Sequence, residues 1–538
     1  MGNSVDCFKI DTQIDEEKYM NNNLSIFNDV VGPVMRGPSS SHTAASWRIA
    51  RVCLNIFNEP LKKAVIDFDK NGAWAANYLE QGTVMGINGG LLGLDIIDDR
   101  MKNSVALAKK MDVEIRYEIN SFPTKHTNTV RLKLEGKSGK KVQFLAVSIG
   151  GGAFEIQQID HFDLSIRGNY FEMLFWSTKS NLVNEDIKSI ISDQALLFQS
   201  TDGNRTLLNL KSSSQIPSEI INRLKVNLDS DKYVILKPIL PVVSGKENNL
   251  PFDTIDSLKD YAEKNMLDLG DAGLIYEECK SGLPKKVLIN KMKNIIETIE
   301  KSIIKGLGGT RYEGRILHQQ SHLIEQAEND GKILKNVLLN KIIAYVSAIM
   351  EAKSGMEVIV ANPTAGSCGT IGGALKGVAD DLSSGSEALV KAYFASGIIG
   401  IYFAQGPGFS AEEHGCQVEC GAASGMAAAG IVQLMGGTAK QAIDAASMAI
   451  QNMIGLVCDP VADRVEVPCL GKNISAAVNA LTSATMACSG FDAVIPLEEV
   501  IQTVSRVGEM MPASVKCTGQ GGLSVTSTSI QIKEQLKI

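Results

Sequence analysis

Cys416, Cys420, Cys458 and Cys469 are the residues of this chain best equipped for chemistry, and each stands beside Gly, Asp or Pro. Such neighbours turn a backbone and let it approach a ligand closely. The chain has ten cysteines, and seven of them fall between Cys368 and Cys517. A single cysteine in a reduced protein is ordinarily an inert buried thiol. For Cys416, Cys458 and Cys469 together, soft sulfur donors presented on turns point instead to a metal or an iron–sulfur cluster. Their separations, 42 residues and then 11, match neither the paired C-x-x-C knuckles of a zinc ribbon nor the C-x-x-C-x-x-C run of a ferredoxin. Three thiolates leave one iron of a 4Fe–4S cluster without a protein ligand. An open iron is a Lewis acid, so the pattern points to catalysis before electron transfer.

Two polar loops add groups that could hold a substrate. Gly37-Pro38-Ser39-Ser40-Ser41-His42-Thr43 runs into a helix-like stretch over residues 44–57. Hydroxyls and free backbone N–H groups at a helix start make a cradle for a carboxylate or phosphate. A helix cap needs only one such hydroxyl, and three serines with a histidine exceed it. The second loop, residues 121–129, carries His126 and Asn128; ordinary turn chemistry explains these as readily as a distal ligand site does.

The elements that must position these groups fall into three parts, as 538 residues exceed what one core supports. Residues 1–25 read as a polar arm. Residues 63–68, 113–119, 129–134 and 142–149 read as strands, with a helix at 74–79 and a glycine-rich stretch at 86–93, and Gly150-Gly151-Gly152 is expected to close a first α/β domain. Strands expected at 171–176, 195–200, 206–210 and 233–238, with helices near 184–191 and 217–225, give a β-α-β-β-α-β order that suits a ferredoxin-like module. A linker at 244–249 leads into a region that reads as helical throughout, with apolar residues at helical spacing over 286–301. Residues 361–440 hold nine charged residues in eighty, which predicts closely packed buried helices.

Composition narrows the functional classes. A net charge of −7 gives no electrostatic case for nucleic acid, and no basic run suggests an anionic membrane. The N-terminus has neither the basic nor the apolar region of a signal peptide, and Asp6 breaks the myristoylation pattern. The apolar windows 392–404 and 420–437 are interrupted by Gly and fall short of the about 20 apolar residues of a membrane span, so both are expected to be buried helices. Unpatterned cysteines without a secretion signal predict a reducing cytoplasm.

Five motifs in order carry a resemblance to a known family: Gly37 to Thr43, Pro363-Thr364-Ala365-Gly366-Ser367-Cys368-Gly369, Gly415-Cys416-Gln417-x-Glu419, Cys458-Asp459-Pro460-Val461 with Val465-x-Val467-Pro468-Cys469, and Ile495-Pro496-Leu497-x-Glu499-Val500. The chain resembles the iron–sulfur-dependent L-serine dehydratases over about residues 28–155 and 250–530. The resemblance implies a multidomain α/β plus all-α protein: an allosteric-substrate-binding-like β domain (25–155), an ACT-like module (160–243) and an all-helical catalytic α domain (250–530). It implies that Cys416, Cys458 and Cys469 hold a 4Fe–4S cluster, and that the protein is a homodimer.

Dehydrating serine requires loss of a weakly acidic α-proton and of hydroxide, a poor leaving group; the open iron would stabilise both developing charges. Aminoacrylate then yields pyruvate and ammonia. His42 is the candidate base, since imidazole titrates near neutrality; orienting a carboxylate through its ring N–H is the alternative, and His414, beside Cys416, is a rival base. Ser40, Ser41, Thr364 and Ser367 are expected in catalysis, and Ser39, Thr43, Gly366, Cys368, Asn128 and His126 in holding the amino acid. Three features depart from the family's pattern: Cys420, read as a packed thiol; Leu79-Glu80-Gln81 in place of a Gly-His pair; and a C-terminus without the cysteine that blocks the open iron in some members. Rival readings are a β-eliminating lyase acting on threonine or cysteine, and a non-catalytic sensor of amino acids and oxygen. A pyridoxal-phosphate enzyme is disfavoured, because no Ser-x-Lys context precedes a glycine-rich phosphate loop.

Overall fold

The computed structural model describes residues 24–178, 185–191, 195–228, 232–244 and 250–536. Almost all of the N-terminal arm and of the 244–249 linker lies outside them.

Alternating apolar residues build the first sheet. In strand Thr129–Gly136, Val130, Leu132 and Leu134 all point into the core. Six strands pair in the spatial order Glu114–Asn120, Leu61–Asp69, Thr129–Gly136, Lys141–Gly150, Ala153–Ile159 and Phe162–Ile166. The first two are parallel and the remainder antiparallel. Helix Ala45–Phe57 packs on this sheet through Ile49, Cys53, Ile56 and Phe57. The glycines of residues 86–93 lie mostly in a second helix, Thr83–Leu91, where a Cβ on Gly90 would come within 2.6 Å of the Trp47 carbonyl. The expected domain end at Gly150–Gly152 is instead a hairpin inside the sheet. All three glycines have positive φ, so the chain reverses there and adds two more strands.

The middle part has the β-α-β-β-α-β order read from the sequence. Its strands Phe171–Ser177, Ala195–Thr201, Thr206–Ser212 and Tyr233–Leu236 form an antiparallel sheet in the order fourth, first, third, second. Helices Glu185–Ile191 and Ser218–Leu228 cover it, burying Ile187 and Leu224 against Phe175, Leu208 and Leu210.

From Ile255 onward the chain is helical apart from the short strand Val358–Val360. At its centre lie helices Ser386–Gln405 and Cys420–Leu434, buried on nearly all sides, as the low charge density predicts. Ser386–Gln405 is long and apolar enough to cross a membrane by composition; here other helices enclose it.

The N-terminal segment is stitched into this helical body before it enters the first domain. Ser25 Oγ donates to Glu277 Oε1 (2.6 Å) and the Ile26 N–H to Oε2 (2.8 Å). Ile26 and Val30 fit where Gly397 and Gly400 leave room, and strand Val34–Arg36 pairs antiparallel with Val358–Val360. Glu277→Ala would leave both buried donors unpaired, at about 1–3 kcal/mol each. It is expected to lower the melting temperature by several degrees and to speed protease cleavage near residue 25, while Glu277→Gln keeps more of both.

Candidate active site

The serine loop is a tight wrapped turn, Ser40–Ala44, leading directly into helix Ala45–Phe57. Gly37 permits it: its φ is +97°, and a Cβ there would sit 2.6 Å from Thr43 Oγ1. His42 is buried, with Nε2 2.8 Å from Asn77 Oδ1 and Nδ1 3.0 Å from Ser39 Oγ. With the Asn77 oxygen accepting, Nε2 carries the proton and Nδ1 is the acceptor for the Ser39 hydroxyl. Burial holds the imidazole below its ordinary pKa against the opposing pull of Glu412 and Asn77, so the ring is neutral.

The other expected residues divide by what they touch. Ser40 Oγ accepts from the Ala365 N–H (3.3 Å), joining the serine loop to the loop of residues 362–368. The Ser41 carbonyl accepts from Ser148 Oγ (2.9 Å), whereas Thr43 Oγ1 donates to the Gln81 carbonyl (3.1 Å) within the first domain. Thr364 and Ser367 cap one another reciprocally at the start of the turn Ala365–Ser367, and Thr364 Oγ1 also donates to Glu419 Oε1 (2.7 Å). Gly366 lies against that carboxyl, where a Cβ would meet it at 2.7 Å, and its carbonyl accepts from Asn473 Nδ2 (2.8 Å). Cys368 points into the core, with its sulfur 3.9 Å from that of Met350. His126 Nδ1 accepts from the Asn128 N–H (3.0 Å), and its Nε2 lies 3.9 Å from Glu413. The Asn128 side-chain oxygen is buried with no hydrogen-bond partner among the described residues.

Beneath the 362–368 loop the thiols converge. Cys416 follows Gly415, whose φ of +75° and closeness to the Leu456 carbonyl (2.9 Å to a built Cβ) require glycine. Cys458 sits in a bridge to the C-terminal segment, and Cys469 is the first residue of helix Cys469–Cys488. All three are buried. Cys458 lies within hydrogen-bonding reach of Cys416 and of Cys517, which hold its thiol well above the ordinary value, with burial adding to this. Burial pushes Cys469 up to about 12, with Cys416 and Glu419 contributing. Cys420 is raised by burial and by Cys416, Glu419 and Cys469, and Asn473 Nδ2 donates to it at 3.7 Å. Two ammonium groups flank the thiols, that of Lys353 buried and that of Lys472 half-buried. Lys472 Nζ donates to Asp459 Oδ1 (2.7 Å) and to the Val457 carbonyl (2.6 Å), and Lys353 Nζ to the Val465 carbonyl (2.8 Å).

Several of these groups were not reached from the sequence. Asn77 lies 35 residues from its histidine, and no local pattern marks it. Cys517 arrives on a segment that pairs with Cys458, its N–H donating to the Cys458 carbonyl (2.9 Å). Asn362 is fully buried, and neither of its side-chain polar atoms has a hydrogen-bond partner among the described residues. His414, by contrast, was named as the rival base; it is placed against Gly508, its Nδ1 without a partner among the described residues. Glu419 stood in a quoted motif without a role, and burial, reinforced by Glu412, raises it to about 7.

The serine dehydratase alpha chain family profile matches residues 94–524. This chain belongs to that family. It is 33% identical over 285 residues to the probable L-serine dehydratase alpha chain of Bacillus subtilis (strain 168), covering 53% of this chain and 95% of that protein. It is 32% identical over 282 residues to the L-serine dehydratase alpha chain of Peptoniphilus asaccharolyticus, covering 52% of this chain and 97% of that one. The probable beta chain of the Bacillus enzyme is 36% identical over 146 residues, which is 27% of this chain and 64% of that protein. One chain here therefore matches both the alpha and the beta chain of the Bacillus enzyme.

Among the described residues no three His, Cys, Asp or Glu side chains form a cage for a single metal ion. The donor set nevertheless fits a thiolate-bound cluster. Its sulfurs are soft, buried and close together, and Cys458 and Cys469, both held above the ordinary thiol range, stay protonated until positive charge is supplied.

Glu419 gives a pH signature. Its folded pKa of about 7 exceeds the ordinary 4.5, so the folded chain keeps a proton that the unfolded chain releases. That contribution to stability is present below about pH 4.5 and is lost as pH rises through about 7. Thermal melts of metal-free protein across this window are expected to show the melting temperature falling less in Glu419→Gln than in the unaltered chain.

Proposed function

We propose that this protein dehydrates and deaminates L-serine to pyruvate and ammonia, using a 4Fe–4S cluster held by Cys416, Cys458 and Cys469. The observation that carries the reading is the convergence of three thiols from separate segments beneath a loop that also touches the serine–histidine turn. Membership of the serine dehydratase family supports the substrate. When bound, such a cluster supplies a Lewis acid that eases departure of the β-hydroxyl.

The chain's own residues do the rest. Ser40 and Ser41, with the backbone N–H groups of their turn, receive the substrate carboxylate. Asn362 and Asn128 offer buried amide atoms that have no partner among the described residues, suited to the ammonium and the carboxylate. His42 is neutral and fixed in one tautomer by Asn77. It draws the α-proton toward Nδ1, where the Ser39 hydroxyl stands as the relay. Glu419 holds a proton at neutral pH next to the thiols, positioned by Thr364. Burial of the whole arrangement keeps water from competing for these groups. Aminoacrylate and water leave, and tautomerisation with hydrolysis gives pyruvate and ammonia. On the same reading the first domain is allosteric-substrate-binding-like, the β-α-β-β-α-β part is an ACT-like module, and the protein is a cytoplasmic homodimer.

Protein purified without oxygen is expected to be brown, to contain iron and sulfide, and to release pyruvate from L-serine faster than from threonine or cysteine. Cys416→Ala, Cys458→Ala and Cys469→Ala should each lose both colour and activity, and Cys279→Ala neither. A colourless, iron-free protein that turns over serine would overturn the reading. His42→Asn should lower kcat by about 10²–10⁴-fold with the absorption spectrum intact. The same loss in His414→Asn, with His42→Asn unaffected, would move the base to His414.

A further inference from the structure

Lys353 is among the largest fully buried side chains of the protein, and it lies in the last turn of helix Val337–Ser354. A lysine there ordinarily lays its stem along the helix and keeps its ammonium in water, complementing the helix C-terminus. This one turns inward instead. Its Nζ donates to the Val465 carbonyl (2.8 Å), four residues before Cys469. Among the described residues that is its one hydrogen bond, and it forms no ion pair. An ammonium has three N–H donors, so bonding capacity is left over.

The carboxylates carried by the same segments are committed elsewhere. Glu351 accepts from the Gln320 and Ser321 N–H groups (2.6 and 3.0 Å). Glu466 accepts from the Ile316 and Leu317 N–H groups (2.8 and 3.1 Å) and from the Tyr312 hydroxyl. Lys472, the other ammonium beside the thiols, is already paired with Asp459 (2.7 Å). Lys353 alone of the two is a cation taken out of water with no anion against it, an arrangement that is strongly unfavourable unless a counter-charge arrives. Its surroundings are those of the thiol site. Burial raises the Cys469 and Cys368 thiols and the Glu419 carboxyl, and Lys353 stands close enough to pull all three back.

We propose that Lys353 is a built-in counter-ion for the iron–sulfur cluster, providing a positive charge that only the filled site uses. The inference rests on the reading that Cys416, Cys458 and Cys469 hold that cluster. A 4Fe–4S core carries fewer positive charges than three thiolates carry negative ones, so the filled site is anionic overall. In a water-excluded setting one cation beside it counts for more than several at the surface. Two effects follow. Without the charge the cluster is held less firmly and resists a further electron more strongly. In the metal-free protein the same charge has nothing to balance, so its removal does the fold no harm.

The test compares Lys353→Met and Lys353→Gln with the unaltered full-length protein, each purified without oxygen and also prepared metal-free. Gln keeps a donor for the Val465 carbonyl and removes the charge, whereas Met removes both. Both variants are expected to release iron to a chelator about 10–100-fold faster. Their cluster midpoint potential should move to lower values, and cluster loading should raise their melting temperature by less. The metal-free variants should melt no lower than the metal-free unaltered protein. Should Lys353→Met fail to fold, Lys353→Gln carries the test alone. Iron release and potential unchanged in a folded variant overturn the proposal, and so does recovery in Gln of what Met loses, which would assign the effect to the hydrogen bond. An equal fall in melting temperature with and without the cluster marks a structural lysine and overturns it too. A raised KM for serine with iron release and potential unchanged would give Lys353 to the substrate carboxylate instead, again against the proposal. Unaltered protein that takes up no iron fails the cluster reading itself and this inference with it; the other failures leave that reading standing.

Discussion

The whole arrangement depends on keeping the first thirteen described residues inside the helical body. Glu277 anchors Ser25 and Ile26, and a three-residue strand pairing ties Val34–Arg36 to Val358–Val360. Each paired strand leads within a few residues into a loop of the candidate site, one carrying His42 and the other Thr364. The serine–histidine turn and the loop above the thiols, more than 320 residues apart, are thereby held against one another through Ser40 Oγ and the Ala365 N–H. Buried hydrogen bonds to a carboxylate are stronger than neutral ones and cost most when one partner is removed. The stitch is accordingly rigid, and it sets the distance between the two halves of the chemistry.

Electrostatics at the thiols follows from crowding. Burial and crowding hold Cys420, Cys458, Cys469 and Cys517 above the ordinary thiol range, and Glu412 adds negative charge beside them. Lys472 and Lys353 offset part of this but are engaged with Asp459 and with backbone carbonyls. The site therefore favours an incoming positive centre, and Glu419 is protonated near neutrality for the same reason. His42 is held neutral by its own burial, against the opposing pull of Glu412 and Asn77.

Much of this was legible in the sequence, and for identifiable reasons. Strands such as Thr129–Gly136 announce themselves by alternation, and the buried helices Ser386–Gln405 and Cys420–Leu434 by their lack of charge. The clustered cysteines and the serine turn stood out because glycine and proline mark where a backbone must bend. Asn77, Asn362 and Cys517 were silent, since each matters only through a neighbour brought from elsewhere in the chain. The triple glycine misled about where the first sheet ends: left-handed glycines reverse a strand as readily as they release one. Thr43 and Cys368 share a motif with site residues yet turn their side chains to the Gln81 carbonyl and to Met350.

The pairing of Val34–Arg36 with Val358–Val360 has a consequence during synthesis. A ribosome delivers the N-terminal strand more than 300 residues before its partner, and domains otherwise fold in the order they emerge. The first sheet and the middle module can each close while Ile26, Val30 and the strand edge still wait for their berth. Until the last helices leave the exit tunnel, the nascent chain displays an adhesive leader. Chaperones, or slow handling of that interval, would govern how much of the protein reaches its finished form.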